Sequence, residues 1–399
     1  MSSVSPQSGA ATSPPPLRIK NIEHGVAIPA GAPDRNPQAR PTVDALGLRM
    51  MYYGWPGLTT TTQGDLLLSA CEQVLHVTPY GREVIARSSD GGRTWPQPQV
   101  MYDSVTDDRD IALNRMPDGV IIATWFSSDI WARPRPFPWM RPEWEPLRDT
   151  IKPDTFRALH RGWLRRSTDG GRTWEQLIHP TLVGQHAGPC PLHNGDLLYL
   201  GRYPLEDGNQ MVATLSRDGG RTWSILAELP VPRFYEEISK KRWSELGENH
   251  ALEVAPGRIV AAFRAAPDAH MPNVYVATSA DSGRTWTPAR DTGLFGHPPF
   301  LLKLHSGVLL CLTSQRGNPQ RIVAMASYDL GQTWDLNNLL VLTERHGTEG
   351  LDMGYPVAVE TAPNEIFCVY YSSPTPRSPH YQSEDPQQHG IRSIRIQLG

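Results

Sequence analysis

Five copies of one eight-residue phrase punctuate this chain: SSDGGRTW from Ser88 to Trp95, STDGGRTW from Ser167, SRDGGRTW from Ser216, SADSGRTW from Ser279 and SYDLGQTW from Ser327. A unit that returns every roughly 50 to 80 residues cannot bury its own apolar faces, and it gains stability by stacking on its neighbours around an axis. Within the phrase, Ser, Asp and Gly supply a tight turn whose side chains bond its own backbone, and Thr-Trp re-enters a strand with a large ring to pack. The turn is expected to join the two outer strands of a propeller blade. Its aspartates are then structural, and chemistry must be sought elsewhere.

A second repeat counts the blades. Six segments, starting at Trp55, Asp110, His186, Glu248, His297 and Tyr355, run as a strand into a Gly- or Asn-centred turn and return as an apolar strand. Each is a β-hairpin signal, and together they form the inner strand pairs of six blades. The sixth has no phrase after it, only HGIRSIRIQL from His389 to Leu398. LRIKNIEHGVAI, Leu17 to Ile28, has strand character and is expected to complete that blade and close the ring, which leaves only short, protected edges. The expected fold is all-β: a six-bladed β-propeller of four-stranded antiparallel blades.

The chain's 399 residues suit one such ring over residues 17–399, with no internal boundary. Met1 to Pro16, rich in Ser, Pro, Gly and Ala, is expected to be a disordered tail. It lacks the basic start and apolar run of a secretory signal, and no apolar stretch is long enough to span a membrane. The expectation is a cytoplasmic protein, or one processed at its start, with no membrane partner. Cys71, Cys190, Cys311 and Cys368 fall in different hairpins without metal spacing and read as buried free thiols. The net charge of −3 comes without a basic stripe, which argues against nucleic acid. Oligomeric state stays open.

Equivalent hairpin positions converge on one end of a propeller's channel, so a site can assemble from residues far apart in sequence. The first hairpin residues are Trp55, Asp110, His186, Glu248, His297 and Tyr355; the returning strands end at Glu72, Ser127, Arg202, Arg264, Arg316 and Tyr371. This ring is loaded with polar and ionisable side chains.

The repeated S-x-D-x-G-x-T-W phrase resembles the Asp box, or BNR repeat, and six blades carrying it resemble the sialidase (neuraminidase) superfamily over nearly the whole chain after the tail. The resemblance implies that Tyr355, in GYPVAVE, is a tyrosine nucleophile and that Glu248, in GENHALEV, is its base. A tyrosine needs such a partner, because its unperturbed pKa is about 10. Arg264 and Arg316 match two of the family's three substrate-binding arginines, and Arg202 stands at the corresponding place in the third blade. A guanidinium bonds a carboxylate bidentately, so these imply an acidic sugar: a sialic acid, another ulosonic acid or a uronate-containing glycan.

Two positions depart from the family's pattern. Its first arginine aligns with Gly54 in Gly54-Trp55-Pro56, and its acid/base aspartate falls in CEQVLHVTPYGREV, which has no Asp. Glu72 or His76 is left for that role, and Asp110, preceded by Asp107, Asp108 and Arg109, is an equal candidate if shielding raises its pKa. His76, His186, His250 and His297 are candidates to bind substrate hydroxyls, and their spacing does not support a metal.

The longest interruption, Ser128 to Gly162, carries Trp131, Phe137, Trp139 and Trp144 among prolines, and reads as a sugar-stacking lid or a packing flap. A further insert, Val231 to Gly247, is expected to be mildly helical over RFYEEISKKRWSEL. The leading functional reading is a sialidase-like exo-glycoside hydrolase without a cofactor. Its alternatives are a polysaccharide lyase on uronate glycans, using His and Tyr for β-elimination, and a noncatalytic sugar-binding propeller.

Overall fold

Each copy of the repeated turn closes on its own aspartate. The Asp169 carboxylate accepts the Ser167 hydroxyl at 2.8 Å, the Arg172 and Thr173 N–H groups at 2.9 Å and the Thr173 hydroxyl at 2.6 Å. The set recurs around Asp90 and Asp218. Bonds of this kind favour the ionised carboxyl, and the Thr285 hydroxyl, foremost among them, holds Asp281 at about 2.

The fifth residue of the phrase is Gly in every copy for two physical reasons. Gly92, Gly171, Gly220, Gly283 and Gly331 have φ between 82° and 91°. A Cβ at each would also stand 2.5 to 2.9 Å from a side chain of the preceding blade, namely Phe367, Leu67, Leu164, Leu198 and Val260. The turn that ends one blade is therefore a packing surface for another.

The computed structural model describes residues 15–29, 52–79, 81–131, 144–236, 240–265, 273–346, 351–374 and 390–399. All but the last two residues of the expected tail lie outside them. The strands form six sheets in chain order. The first blade is Tyr52–Thr60, Leu66–Gln73, Arg82–Ser88 and Gln99–Tyr102; the second is Asp107–Arg115, Ile121–Ser128, Arg161–Ser167 and His179–Thr181. The third is Cys190–Pro191, Leu197–Leu205, Gly208–Ser216 and Ser224–Glu228; the fourth is Leu246–Ala255, Arg258–Ala265, Asn273–Ser279 and Arg290–Phe295. The fifth is Phe300–Lys303, Leu309–Gln315, Gln320–Ser327 and Asp335–Arg345; the sixth is Leu351–Ala362, Glu365–Pro374 and Gly390–Leu398, completed by Ile19–Pro29.

The N-terminal strand pairs antiparallel with the last strand from Ile19 opposite Leu398 to Pro29 opposite Gly390, so the ring closes as expected. First strands of successive blades adjoin one another around the axis. They line a channel of about 270 Å³ whose wall includes Leu58, Leu113, Ala251, Leu301 and Val357. Apolar clusters fill the spaces between blades, as where Ile28, Leu68, Val357, Phe367 and Ile391 pack together. All four cysteines are free and buried.

Two inserts differ from expectation or refine it. The described residues of RFYEEISKKRWSEL are not helical: Arg233–Glu236 pairs antiparallel with Lys241–Ser244, and these strands join the third sheet through a parallel bridge between Gly208 and Arg242. Edge pairing supplies backbone partners that outweigh a modest helical composition. In the second-blade interruption, Trp144 is fully buried and Pro153–Leu159 is a short helix seated by Phe156. Phe137 and Trp139 lie outside the described residues. Among the described residues no helix is long and apolar enough to cross a membrane.

Candidate active site

Four inner strands break at the same place. Trp55, Asp110, Glu248 and Tyr355 have left-handed φ of 48°, 63°, 37° and 55°. Each lies in a register shift of the inner hairpin. In the third blade the left-handed residue is Ala187 (φ 70°), one position after His186. A bulge leaves its residue out of the ladder and re-aims the side chain, here to the end of the channel where the strands begin. Non-glycine residues in this region cost about 1 to 3 kcal/mol each, and such strain concentrates where function needs it.

Tyr355 stands at the centre. Its ring meets His186 edge-on at 4.5 Å, Tyr371 at 5.7 Å and Trp55 at 6.3 Å, and the Arg316 guanidinium lies 5.8 Å from it. Its phenol and the Glu248 carboxyl act on each other's protonation. Glu248 is also gripped by Arg264 Nη1 at 2.6 Å, while its N–H donates to Gln185. Burial works to raise the Glu248 carboxyl, and Arg264 overrides it, leaving it at about 2. Burial, then the charges of Glu248 and Asp110, push the Tyr355 phenol well above its ordinary value, and Arg264 and Arg316 pull it back. Glu248, Arg264 and Arg316 keep 20 to 30 % of their side chains exposed, so the group opens to solvent.

The sequence reading missed Asp352. Its Oδ1 takes the Tyr371 hydroxyl at 2.7 Å and Arg316 Nη1 at 3.4 Å; its Oδ2 takes the Tyr52 hydroxyl at 2.6 Å and His76 Nδ1 at 2.6 Å. Asp352 lies three residues before Tyr355, as Tyr52 lies three before Trp55 and Asp107 three before Asp110. That common offset from the kink was the available signal.

Asp110 sits in a buried acidic neighbourhood with Asp107, Asp108 and Glu83. Burial, with a smaller contribution from Glu248, raises Asp110 to about 7 although Arg109 opposes it. Arg109 pairs with Asp107 at 3.5 Å, donates to the His76 carbonyl at 2.6 Å and lies 4.3 Å above the Trp55 ring. Asp108 accepts the Ser127 hydroxyl and the Ser104 N–H, each at 2.5 Å, yet burial still lifts it to about 7.

Neither carboxyl oxygen of fully buried Glu83 has a protein partner, and burial pushes its pKa well up. A raised folded-state value means stability that is full below the ordinary carboxylate range and lost as pH rises through the folded pKa. Glu83→Gln, which keeps the shape of the protonated acid and cannot ionise, is expected to melt progressively higher than wild type as pH goes from 5 to 8. Thermal melts across that range check it, and a constant difference would contradict it.

The remaining candidates are distributed around this core. Neither ring nitrogen of buried His186 has a protein partner, and burial lowers it to about 4. His297 is driven to about 3 by burial and then Arg316. His250 accepts the Leu301 N–H at 2.8 Å and stacks on Phe300 at 4.3 Å, a structural use beside the channel. Arg202 donates to the carbonyls of Leu246 and Ser244, and Glu248 and Arg264 both bear on its charge. Glu72 is engaged by Arg82 at 2.6 Å and by the Tyr53 hydroxyl at 2.6 Å, inside the first blade. The structure thus brings Tyr355, Glu248, Arg264, Arg316, Asp110, His76, His186, His297 and Trp55 together with Arg202 at the flank, and holds Glu72 in a separate buried pair.

No family model matches the chain. It is similar to a sialidase of Bacteroides fragilis, 24% identical over an alignment of 203 positions that covers 43% of this chain and 36% of that one. A sialidase of Micromonospora viridifaciens is 27% identical over an alignment of 265 positions that covers 59% of this chain and 36% of that one. The matches thus span about a third of these relatives' length. Among solved structures, a protein of unknown function from Dyadobacter fermentans superposes with TM-score 0.67 at 21% identity, covering 96% of this chain and 99% of that one. The Hadza microbial sialidase Hz136 superposes with TM-score 0.60 at 22% identity, covering 87% and 66%.

Proposed function

This chain is a member of the sialidase-like propeller superfamily, and from that premise we propose that it is an exo-acting glycoside hydrolase in which Tyr355 attacks the anomeric carbon. The observation that carries the reading is Tyr355 at a strained kink with the Glu248 carboxylate bearing on its phenol, Arg264 on that carboxylate and Arg316 beside the ring. With Glu248 at about 2 and Tyr355 raised, proton transfer in the resting site is uphill. It therefore accompanies bond formation and does not precede it.

The first displacement balances as follows. Tyr355 Oη bonds the anomeric carbon while its proton passes to Glu248; the glycosidic C–O bond breaks, and the leaving oxygen takes the proton of Asp110. In the second, Asp110 takes a proton from water, the water oxygen attacks the anomeric carbon, the tyrosyl–sugar bond breaks and Tyr355 recovers its proton from Glu248. Two displacements give net retention. Asp110 suits the acid role better than His76, because it is protonated to about pH 7 whereas His76 Nδ1 is occupied by Asp352. The resemblance implies an acidic sugar on Arg264 and Arg316; in this mechanism both act on Glu248 and Tyr355, whatever charge the sugar carries.

Product analysis by NMR over a panel of sialosides, ulosonides, uronate oligosaccharides and neutral glycosides tests the reading. Release of a sugar of retained configuration is expected. An inverted product, or an unsaturated one absorbing in the ultraviolet, would overturn it, the latter in favour of β-elimination.

The pH dependence is a second check. A carboxyl raised to about 7 donates only below that value, so kcat/KM is expected to fall about tenfold per pH unit above it. Asp110→Asn should abolish that limb. It should also spare aryl glycosides, whose leaving groups need no proton, far more than alkyl glycosides. An unchanged alkaline limb in the variant would remove Asp110 from the acid role.

A further inference from the structure

Asp352 is a carboxylate inside a site equipped to hold one. Its two oxygens meet Tyr371, Arg316, Tyr52 and His76, which uses the acceptor capacity of a carboxylate. Burial works to raise it, and Arg316 followed by His76 overrides this, so it is ionised across the working pH range. The other cations are matched as well. Arg264 is on Glu248 at 2.6 Å, Arg109 is on Asp107 at 3.5 Å, and Arg202 serves two backbone carbonyls.

The place where the resemblance puts a further arginine is occupied by Gly54. A Cβ there would stand 3.0 Å from the Tyr52 ring, and the hydroxyl of that same ring donates to Asp352. Trp55, Tyr52, Tyr355 and Tyr371 pack on one another beside it, buried, with ring centroids 5.7 to 6.3 Å apart.

We infer that the substrate is a neutral sugar: Asp352 fills, from within the protein, the place on Arg316 that a sugar carboxylate would take. This rests on reading the cluster as a sugar site. A second carboxylate at Arg316 would stand beside Asp352 and near Glu248, where like charges repel. Sugar hydroxyls both donate and accept, so they can join these bonds without adding charge.

Binding of monosaccharides, which are not turned over, separates this inference from the hydrolysis reading. Calorimetric titration at pH 7 with glucose against glucuronate, galactose against galacturonate, and N-acetylneuraminate is expected to favour the neutral member by about tenfold or more. Asp352→Asn should shift each acidic-to-neutral ratio about tenfold toward the acid. A wild type that prefers any acid, or a ratio unmoved by Asp352→Asn, overturns the inference.

A second measurement needs no sugar. Acetate should raise the melting temperature of Asp352→Ala beyond chloride at equal ionic strength, by refilling the vacated place, and should do nothing of the kind for wild type. Equal stabilisation of both proteins, or of neither, overturns it too. Both readouts stand if Tyr355 proves not to be the nucleophile, and that failure would bear on the hydrolysis alone.

Discussion

Tyr355→Phe is expected to lower kcat by about a thousandfold or more while leaving the melting temperature within a degree or two of wild type. The substitution removes one oxygen. The ring keeps its contacts with His186, Tyr371 and Trp55, and Glu248 keeps Arg264, so no buried charge is stranded. What disappears is the nucleophile and with it the glycosyl-enzyme route. Because Tyr355 and Glu248 act on one proton, adding Glu248→Gln to the Phe variant should cost little more than the Phe substitution alone, as groups that act as a unit are far from additive. Steady-state kinetics of the single and double variants beside thermal melts measure this. A Phe variant with wild-type turnover would place the attacking group elsewhere.

The kinked residues were legible because the hairpin repeat holds them in register. Once six hairpins are aligned on their turns, Trp55, Asp110, Glu248 and Tyr355 share one position, and only their left-handed backbone had to await coordinates. Asp352 and Tyr52 were passed over for a related reason. A bulge interrupts the alternation by which a strand is recognised, so the inner strands seemed to begin at the kink, although they start earlier, at Leu351 and Tyr52. The residues ahead of the kink were left unread, and one of them, Asp352, pairs with both Arg316 and His76.

The Glu72–Arg82 pair was hidden differently. Glu72 lies one residue before the end of the second strand of the first blade and Arg82 opens the third, so only the pairing of Glu72 opposite Arg82 reveals that the carboxylate has a partner within its own sheet. The third-blade insert shows the reverse limit, because Lys, Glu and Leu in RFYEEISKKRWSEL suit a helix until an edge is available to pair with.

Deleting residues 1–29 is expected to cost about 5 kcal/mol or more, a large share of the 5 to 15 typical of a folded domain. The closing strand runs against Gly390–Leu398 along its whole length and caps two apolar clusters: Ile28, fully buried, packs with Leu66, Val369 and Ile391, while Ile19 and Ile22 pack against Ile394 and Leu398. Full burial of one such side chain is worth about 1.5 to 3 kcal/mol, and several are lost together. The deletion also bares the edge of the last strand, an invitation to intermolecular pairing. The truncated chain should therefore unfold at lower denaturant and elute as aggregates. A synthetic peptide of residues 17–29 should restore both stability and monodispersity by adding the strand in trans. Tyr355 and Tyr371 lie on the two inner strands of that same blade, so activity should fall with the deletion and return with the peptide. An unfolding midpoint indifferent to both manipulations would mean that the ring holds without its closing strand.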